Sequence, residues 1–260
     1  MSADVLIASR DVSKTYLTRT GNTDALRAMD VTLETGEFVS LVGPSGCGKS
    51  TFLRCIAALE PISGGALTFR GVPISEPPHR LGVVFQRDAL LDWRTVIDNV
   101  LLGVEFGGER GRDYRPRALT LLDGLGLRDF VNKHPWELSG GMRQRVAIAR
   151  ALIGDPELLL MDEPFGSLDA LTRDELNVEL QRMWLERRPT VLLITHSIAE
   201  AVFLSDRVAV MSPRPGTIVE TISIDLARPR PLAVLDSPEF TAYTRRIRTI
   251  FEQQGLFTPA

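Results

Sequence analysis

Gly43-Pro44-Ser45-Gly46-Cys47-Gly48-Lys49-Ser50 fits the pattern G-x-x-x-x-G-K-[ST], and its reading decides the fold. The apolar run Phe38-Val39-Ser40-Leu41-Val42 precedes it, and Ser50-Thr51-Phe52-Leu53-Arg54-Cys55-Ile56 follows with helical character. Strand, loop and helix in that order are what a phosphate-binding loop needs. The glycines let the backbone fold tightly, so that successive N–H groups point inward at phosphate oxygens. The helix that follows aims its positive end at the same anion. Lys49 can reach the β- and γ-phosphates, and the Ser50 hydroxyl can ligate Mg²⁺. On this stretch alone the rival is a glycine-rich turn that matches by chance, so the rest of the chain decides.

Upstream, residues 5–42 read as short strands with turns at Gly21-Asn22 and Thr35-Gly36. Tyr16 ends the stretch Val12-Ser13-Lys14-Thr15-Tyr16. A half-buried strand tyrosine is its ordinary reading, and a stacking platform for a nucleobase is the alternative. Downstream, Ser63-Gly64-Gly65 turns into a strand at 66–69, and Pro73, Pro77 and Pro78 form a connector. Leu81-Gly82-Val83-Val84-Phe85 reads as a buried parallel strand ending at Gln86. Ligands of open α/β sheets bind at that carboxyl edge.

From Thr95 to about Ala151 the pattern turns helical, with Val96, Val100 and Leu101 on one face. A second helical segment lies around Ala118 to Leu125, after an exposed loop at Gly107-Gly108-Glu109-Arg110-Gly111. Strand patterns then resume, so residues 87–155 or thereabouts form a helical insert within one domain spanning 1–260. Inside it, Leu138-Ser139-Gly140-Gly141-Met142 opens a helix from Arg143 to Ile153. Ser139 suits an N-cap, and the glycines expose N–H groups at the positive end of the dipole. Taken alone, Ser-Gly-Gly is more often a cap than an anion site.

Glu157 to Met161 leads to the adjacent carboxylates Asp162 and Glu163; strand alternation would turn one toward Mg²⁺ and the other toward a water. Ser167-Leu168-Asp169 caps a helix to about Arg187 that buries Leu176, Leu180, Met183 and Trp184. The strand Thr190 to Thr195 ends at His196, a residue type more often structural than catalytic, here at the same edge as the loop and the acids. Ser197-Ile198-Ala199-Glu200 reads as a capping box. Strands at 207–211 and 217–223 follow, then a last helix at about 237–254. That helix places Phe240, Tyr243, Ile247, Ile250 and Phe251 at helical spacing, with Arg245, Arg246 and Arg248 on a solvated face.

Composition narrows the class. The 260 residues are 44% hydrophobic and 24% charged, an ordinary globular balance. A net charge of −3 argues against nucleic-acid binding through bulk charge. No apolar run approaches the roughly 18 residues of a membrane span, and Asp4 with no basic leader argues against a secretory signal. Cys47 and Cys55 lack metal-ligand spacing and read as reduced thiols of a cytoplasmic protein.

Together these stretches resemble the ATP-binding subunit of an ABC transporter, over nearly the whole chain. Gly43 to Ser50 is similar to the family's Walker A, Gln86 to its Q-loop and Leu138 to Met142 to its signature sequence. Leu158 to Glu163 is similar to Walker B, Ser167-Leu168-Asp169 to the D-loop and His196 to the H-loop, while Tyr16 falls where the family places its adenine-stacking aromatic. The resemblance implies an α/β, P-loop NTPase fold: an ABC-type ATPase core with an antiparallel β subdomain and a helical insert subdomain. It implies ATP and Mg²⁺ bound between two copies of the chain. Tyr16 would stack on adenine, and Gly43, Pro44, Ser45, Gly46, Cys47, Gly48, Lys49, Ser50 and Thr51 would hold phosphate. Ser139, Gly140, Gly141, Met142 and Asp169 would complete the nucleotide site from the second copy. Ser50, Gln86 and Asp162 would serve the metal, Glu163 would polarise the attacking water, and His196 would steady the γ-phosphate beside Lys49.

Phe85 to Val100, Asp162 to Arg173 and Met211 to Gly216 further resemble the subgroup that drives nitrate, sulfonate and taurine uptake. Met142 stands where Gln is commoner, as in that subgroup; Asp92 stands where Pro is usual, and Ser197 where Asp is usual. The implied function is energising import of a small anionic or sulfonate/nitrate-type solute. Implied partners are integral membrane permease subunits and, indirectly, a solute-binding protein; nucleic acid is not among them. The implied place is the cytoplasmic face of the inner membrane, held peripherally. Leu90, Leu91 and Trp93 read either as core or as the surface that receives a short helix of the membrane subunit. A translation or repair ATPase is the rival, opposed by a single cassette without heptads; a dead-site scaffold is opposed by intact Lys49, Asp162, Glu163 and His196. A subunit of a split exporter or lipid transporter stays open.

Overall fold

The computed structural model describes residues 4–18, 21–166 and 168–256. It divides into two compact units, Met1–Pro78 with Gln181–Ala260, and His79–Leu180.

In the first unit, β1 (Val5–Thr18) and β2 (Gly21–Glu34) run antiparallel as two 14-residue strands rather than the short strands expected. The sequence alternation breaks because the ladder slips, not because the chain turns. Non-glycine residues in left-handed conformation, Asp11 (φ 50°) and Ala28 (φ 46°), lie at these irregularities. On β2, consecutive burial of Ala25 and Leu26 gives way to the period-two set Met29, Val31 and Leu33.

β3 (Phe38–Val42) and α1 (Lys49–Ile56) follow, then β4 (Gly64–Phe69) and the short β5 (Val72–Pro73), so Pro73 belongs to a strand and not to the connector. These complete a sheet of order β2-β1-β4-β5.

The second unit begins with β6 (Leu81–Val84) and continues through α2 (Val96–Glu105), α3 (Gly111–Gly124) and α4 (Gly140–Leu152) to β7 (Leu158–Asp162). α3 starts seven residues before the expected Ala118 and takes in Gly111 and Pro116, two residue types that weaken a helical reading. Phe85 is 38% exposed and lies beyond β6, so the buried strand stops one residue short.

α5 (Ala170–Arg187) carries the chain back to the first unit. Leu176, Leu180 and Trp184 are buried on it, while Met183 is only half-buried. Next come β8 (Thr190–Thr195), α6 (Ile198–Leu204), β9 (Arg207–Met211), β10 (Ile218–Ser223) and α7 (Pro238–Gln253). β3 lies between β8 and β9, parallel to both, and β10 is antiparallel to β9. β3, β7 and β8 are buried at every residue, as parallel strands covered on both faces are.

Two details fix the ends of these elements. Arg230 donates to the carbonyls of Val202, Phe203 and Ser205, satisfying the last turn of α6. Ser237 caps α7 by accepting from the Phe240 amide, with Pro238 at the first helical position.

Candidate active site

Strand register places the first unit's residues. Val42 on β3 is level with Thr195 on β8, so the loop beginning at Gly43 and the exposed His196 leave the sheet at the same edge. The loop's course depends on its glycines. Gly46 and Gly48 hold φ 74° and 111°, and a Cβ on Gly48 would lie 2.7 Å from the Ala25 carbonyl oxygen. Gly216, in the turn before β10, packs so closely that a Cβ there would meet the Cys47 carbonyl oxygen at 2.2 Å. Ser45 and Gly46 stay exposed at the tip.

Lys49, only 5% exposed, turns its ammonium onto the Gly43 carbonyl (2.8 Å) and the Pro44 carbonyl (3.0 Å). A cation is thus set within the loop. No side chain caps α1, whose N-cap is Gly48, so its N-terminal N–H groups face the space where an anion would sit. Burial raises the Cys47 thiol, opposed by Lys49, and pushes Cys55 up to about 11; both are free, buried and protonated at neutral pH.

Tyr16 sits half-buried on β1 opposite Thr23. The Lys14 ammonium lies 4.9 Å from its ring centroid, held there by Glu60 (3.1 Å) and the Pro61 carbonyl (2.7 Å).

β6 and β7 do for the second unit what β3 and β8 do for the first. Val84 pairs with Met161, so Gln86 and the acids follow from level strand ends. The Gln86 amide donates to Glu163 Oε2 at 3.2 Å across 77 positions of sequence. Asp162 ends the strand, 7% exposed. Glu163 lies outside it in the left-handed region (φ 46°), which corrects the alternation expected for the pair: a backbone reversal, not the pleat, separates the two carboxylates.

Ser139 caps α4 by accepting from the Met142 amide (3.3 Å), and the helix begins at Gly140 rather than Arg143. A Cβ on Gly141 would meet Thr172 Cγ2 at 2.8 Å, so the first turns of α4 and α5 need a glycine between them. Asp169 caps α5, accepting from the Thr172 amide (3.0 Å) and hydroxyl (2.7 Å), which hold its carboxyl below the usual carboxylate range. Ser167, the first residue of the expected D-loop, lies outside the described residues.

The expected capping box at Ser197 forms only in part. Ser197 Oγ accepts from the Glu200 amide (3.2 Å), but the return bond is replaced. The Ser197 amide donates to Thr195 Oγ1 (3.0 Å), whose hydroxyl donates to the buried Glu200 carboxylate (3.1 Å). Thr195 is therefore a residue that sequence reading missed, since it looked like the last of an apolar strand. Arg143 and Arg150 were missed as well; they reach Asp88 and Ala89 from α4, and burial pulls the Arg150 guanidinium below its ordinary value, opposed by Asp88.

The family described as ABC transporter matches residues 26–166. The taurine import ATP-binding protein TauB of Rhizobium johnstonii is 48% identical over 218 residues, 82% of this chain and 83% of that protein. The TauB of Escherichia coli is 41% identical over 244 residues, covering 92% of this chain and 96% of that protein. A dimeric bacterial ABC transporter cassette of known structure superposes with a TM-score of 0.75 at 32% identity, over 85% of this chain and all of the other. The same cassette is known in a post-hydrolysis state bound to ADP and Pi, and matches with the same TM-score.

Proposed function

We propose, since this chain belongs to the ABC transporter family, that it is the ATP-hydrolysing subunit of an importer for taurine or a closely related sulfonate. One observation carries the reading: a phosphate loop with its lysine in place lies in a chain 41–48% identical to taurine import ATP-binding proteins over most of its length.

In this reading the N–H groups from Gly46 to Thr51 and the Lys49 ammonium bind the β- and γ-phosphates, and Tyr16 stacks on the adenine. By the family resemblance Ser50, Gln86 and Asp162 would hold Mg²⁺, and hydroxyl, amide and carboxylate oxygens are donors of the hard kind that ion takes, so the residue types fit it. When bound, Mg²⁺ would offset charge on the phosphates. Glu163 accepts a hydrogen bond from the water and polarises it toward the γ-phosphorus; as the water oxygen bonds to phosphorus the bond to the ADP oxygen breaks, ADP leaves with that electron pair, and the water's proton passes to Glu163. His196 donates to the γ-phosphate oxygens. Gln86, whose amide nitrogen donates to Glu163 Oε2 at 3.2 Å, would serve the water or the metal through its amide oxygen.

A second copy of the chain brings Ser139, Gly140, Gly141, Met142 and Asp169 to the γ-phosphate side, so turnover requires pairing. The whole, Met1 to Ala260, works as one ATP-binding domain with its helical insert at about 87–155 and its C-terminal helix at about 237–254. Trp93, 74% exposed, with half-buried Leu90 and Leu91, offers the membrane subunits an aromatic anchor. Among the described residues no helix is long and apolar enough to cross a membrane, which suits a peripheral subunit on the cytoplasmic face.

The test is to isolate the chain with the membrane protein that co-purifies, place the complex in liposomes with its solute receptor, and measure ATP turnover with taurine or chloride added. Taurine should stimulate turnover and chloride should not. Stimulation by an unrelated solute alone would reject the sulfonate reading, and absence of any membrane partner would reject the importer reading.

A further inference from the structure

We propose that Arg143 and Arg150 are positioning residues that fasten the segment after Gln86 to the helix bearing Ser139, so that the two shift as one piece. The consequence for catalysis rests on the ATPase reading above; the contact itself does not.

The two arginines are seven positions apart, about two turns, and so share one face of α4. Arg143 donates to Asp88 Oδ2 (3.0 Å) and to the Leu138 carbonyl (2.9 Å), so one guanidinium joins the residue before the cap to the segment beyond Gln86. Arg150 donates to the main-chain carbonyls of Asp88 (2.6 Å) and Ala89 (2.7 Å). Ala89 is in the left-handed conformation (φ 47°), which turns these two consecutive carbonyls to a single planar fork. The other side of the segment is fixed to α2. Buried Asn99 accepts from the Leu91 amide (2.7 Å) and donates to the carbonyls of Leu91 (3.1 Å), Arg94 (3.1 Å) and Thr95 (3.0 Å).

The stretch from Asp88 to Thr95 is therefore strapped between two helices, and only Phe85, Gln86 and Arg87, all exposed, join it to β6. A displacement of α4 reaches the Gln86 segment through these arginines, besides the direct packing of α4 on β6 where a Cβ on Gly82 would meet the Ala151 carbonyl oxygen at 2.5 Å, and Gln86 holds Glu163. A lysine could not replace Arg150, because an ammonium lacks the fork that serves two fixed carbonyls at once.

Amide hydrogen exchange reads the clamp directly. The Leu90 amide donates to Asp88 Oδ1 (3.3 Å), on the carboxylate that Arg143 fixes, whereas the Leu91 amide is held by Asn99 and serves as the internal control. In Arg143→Ala/Arg150→Ala, Leu90 should exchange about tenfold faster or more, while Leu91 and residues 144–152 change less than about threefold. In steady state kcat should fall about tenfold with KM within about twofold, and Arg150→Lys should recover only a small part of kcat.

Unchanged Leu90 exchange, full kcat, or acceleration spread through 144–152 would each overturn the proposal. If the double variant does not fold, Asp88→Asn replaces it with the same expectation at Leu90. Protection of residues 43–50 by MgATP reports on the ATPase reading separately. Its absence would reject that reading, while Leu90 exchange, which needs no nucleotide, still decides the clamp.

Discussion

The phosphate loop of the first unit and the Gln86 segment of the second both follow the carboxyl end of a parallel strand, yet they are built by different means. The loop takes its shape from eight consecutive residues whose glycines adopt conformations or approaches closed to other side chains. Its lysine bonds to carbonyls five and six positions back. The Gln86 segment has no such local code. Asn99 holds one side of it from eight positions on, but the other side is held by Arg143 and Arg150, 55 to 62 positions away, and Gln86 itself reaches a carboxylate 77 positions on. A loop fixed by its own glycines and lysine depends on few distant partners, whereas a segment held by distant side chains can be moved by whatever moves its anchors. That division suits a binding element in one place and a responsive element in the other.

Breaking the loop should produce the largest effects. Gly48→Ala forces a Cβ to 2.7 Å from a backbone oxygen at φ 111°, and should cost about 3 kcal/mol in denaturant unfolding, with nucleotide binding lost. Lys49→Ala keeps the backbone and should weaken ATP affinity about a hundredfold, ~2.7 kcal/mol, measured by titration of the isolated chain. Co-purification with the membrane subunits should survive it.

The responsive element should fail in the opposite sense. Trp93→Ala removes an exposed ring, so the melting temperature and ATP affinity should hold while association with the membrane subunits weakens by ~2 kcal/mol. Normal assembly by a folded Trp93→Ala protein would remove the docking role. The smallest effect is expected at the cap beside His196. Ser197→Ala loses the bond to the Glu200 amide and should cost ~1 kcal/mol, whereas Ser197→Asp can cap equally and should keep activity within about twofold. An inactive, stable Ser197→Asp would place the serine in the chemistry instead.

How much of this was legible in the sequence follows from the same contrast. The loop, the Ser139 cap, the start of α7 and most of the buried faces of α5 and α7 could be read, because each depends on neighbours within a few positions. The long β1–β2 ladder was not read as such, since its slips at Asp11 and Ala28 interrupt the alternation that would mark a long strand. Nor was the reversal at Glu163, a residue type with no preference for positive φ. Thr195 passed for an apolar strand end, although its hydroxyl relays between the Ser197 amide and Glu200. Arg150 left no signal at all, because bonds to main-chain carbonyls are indifferent to the identity of the residues that carry them.

The central claim, that this chain turns over ATP through Glu163 in a paired state, is tested most directly by Glu163→Gln. The substitution keeps the side chain's size and removes the carboxylate that Gln86 holds. Steady-state hydrolysis and molecular mass in MgATP should be measured together on the wild-type and variant chains. The account predicts retained ATP binding, turnover reduced about a hundredfold or more, and a stable ATP-bound dimer. Wild-type turnover in Glu163→Gln, or a variant that binds ATP yet stays monomeric and active, would contradict it.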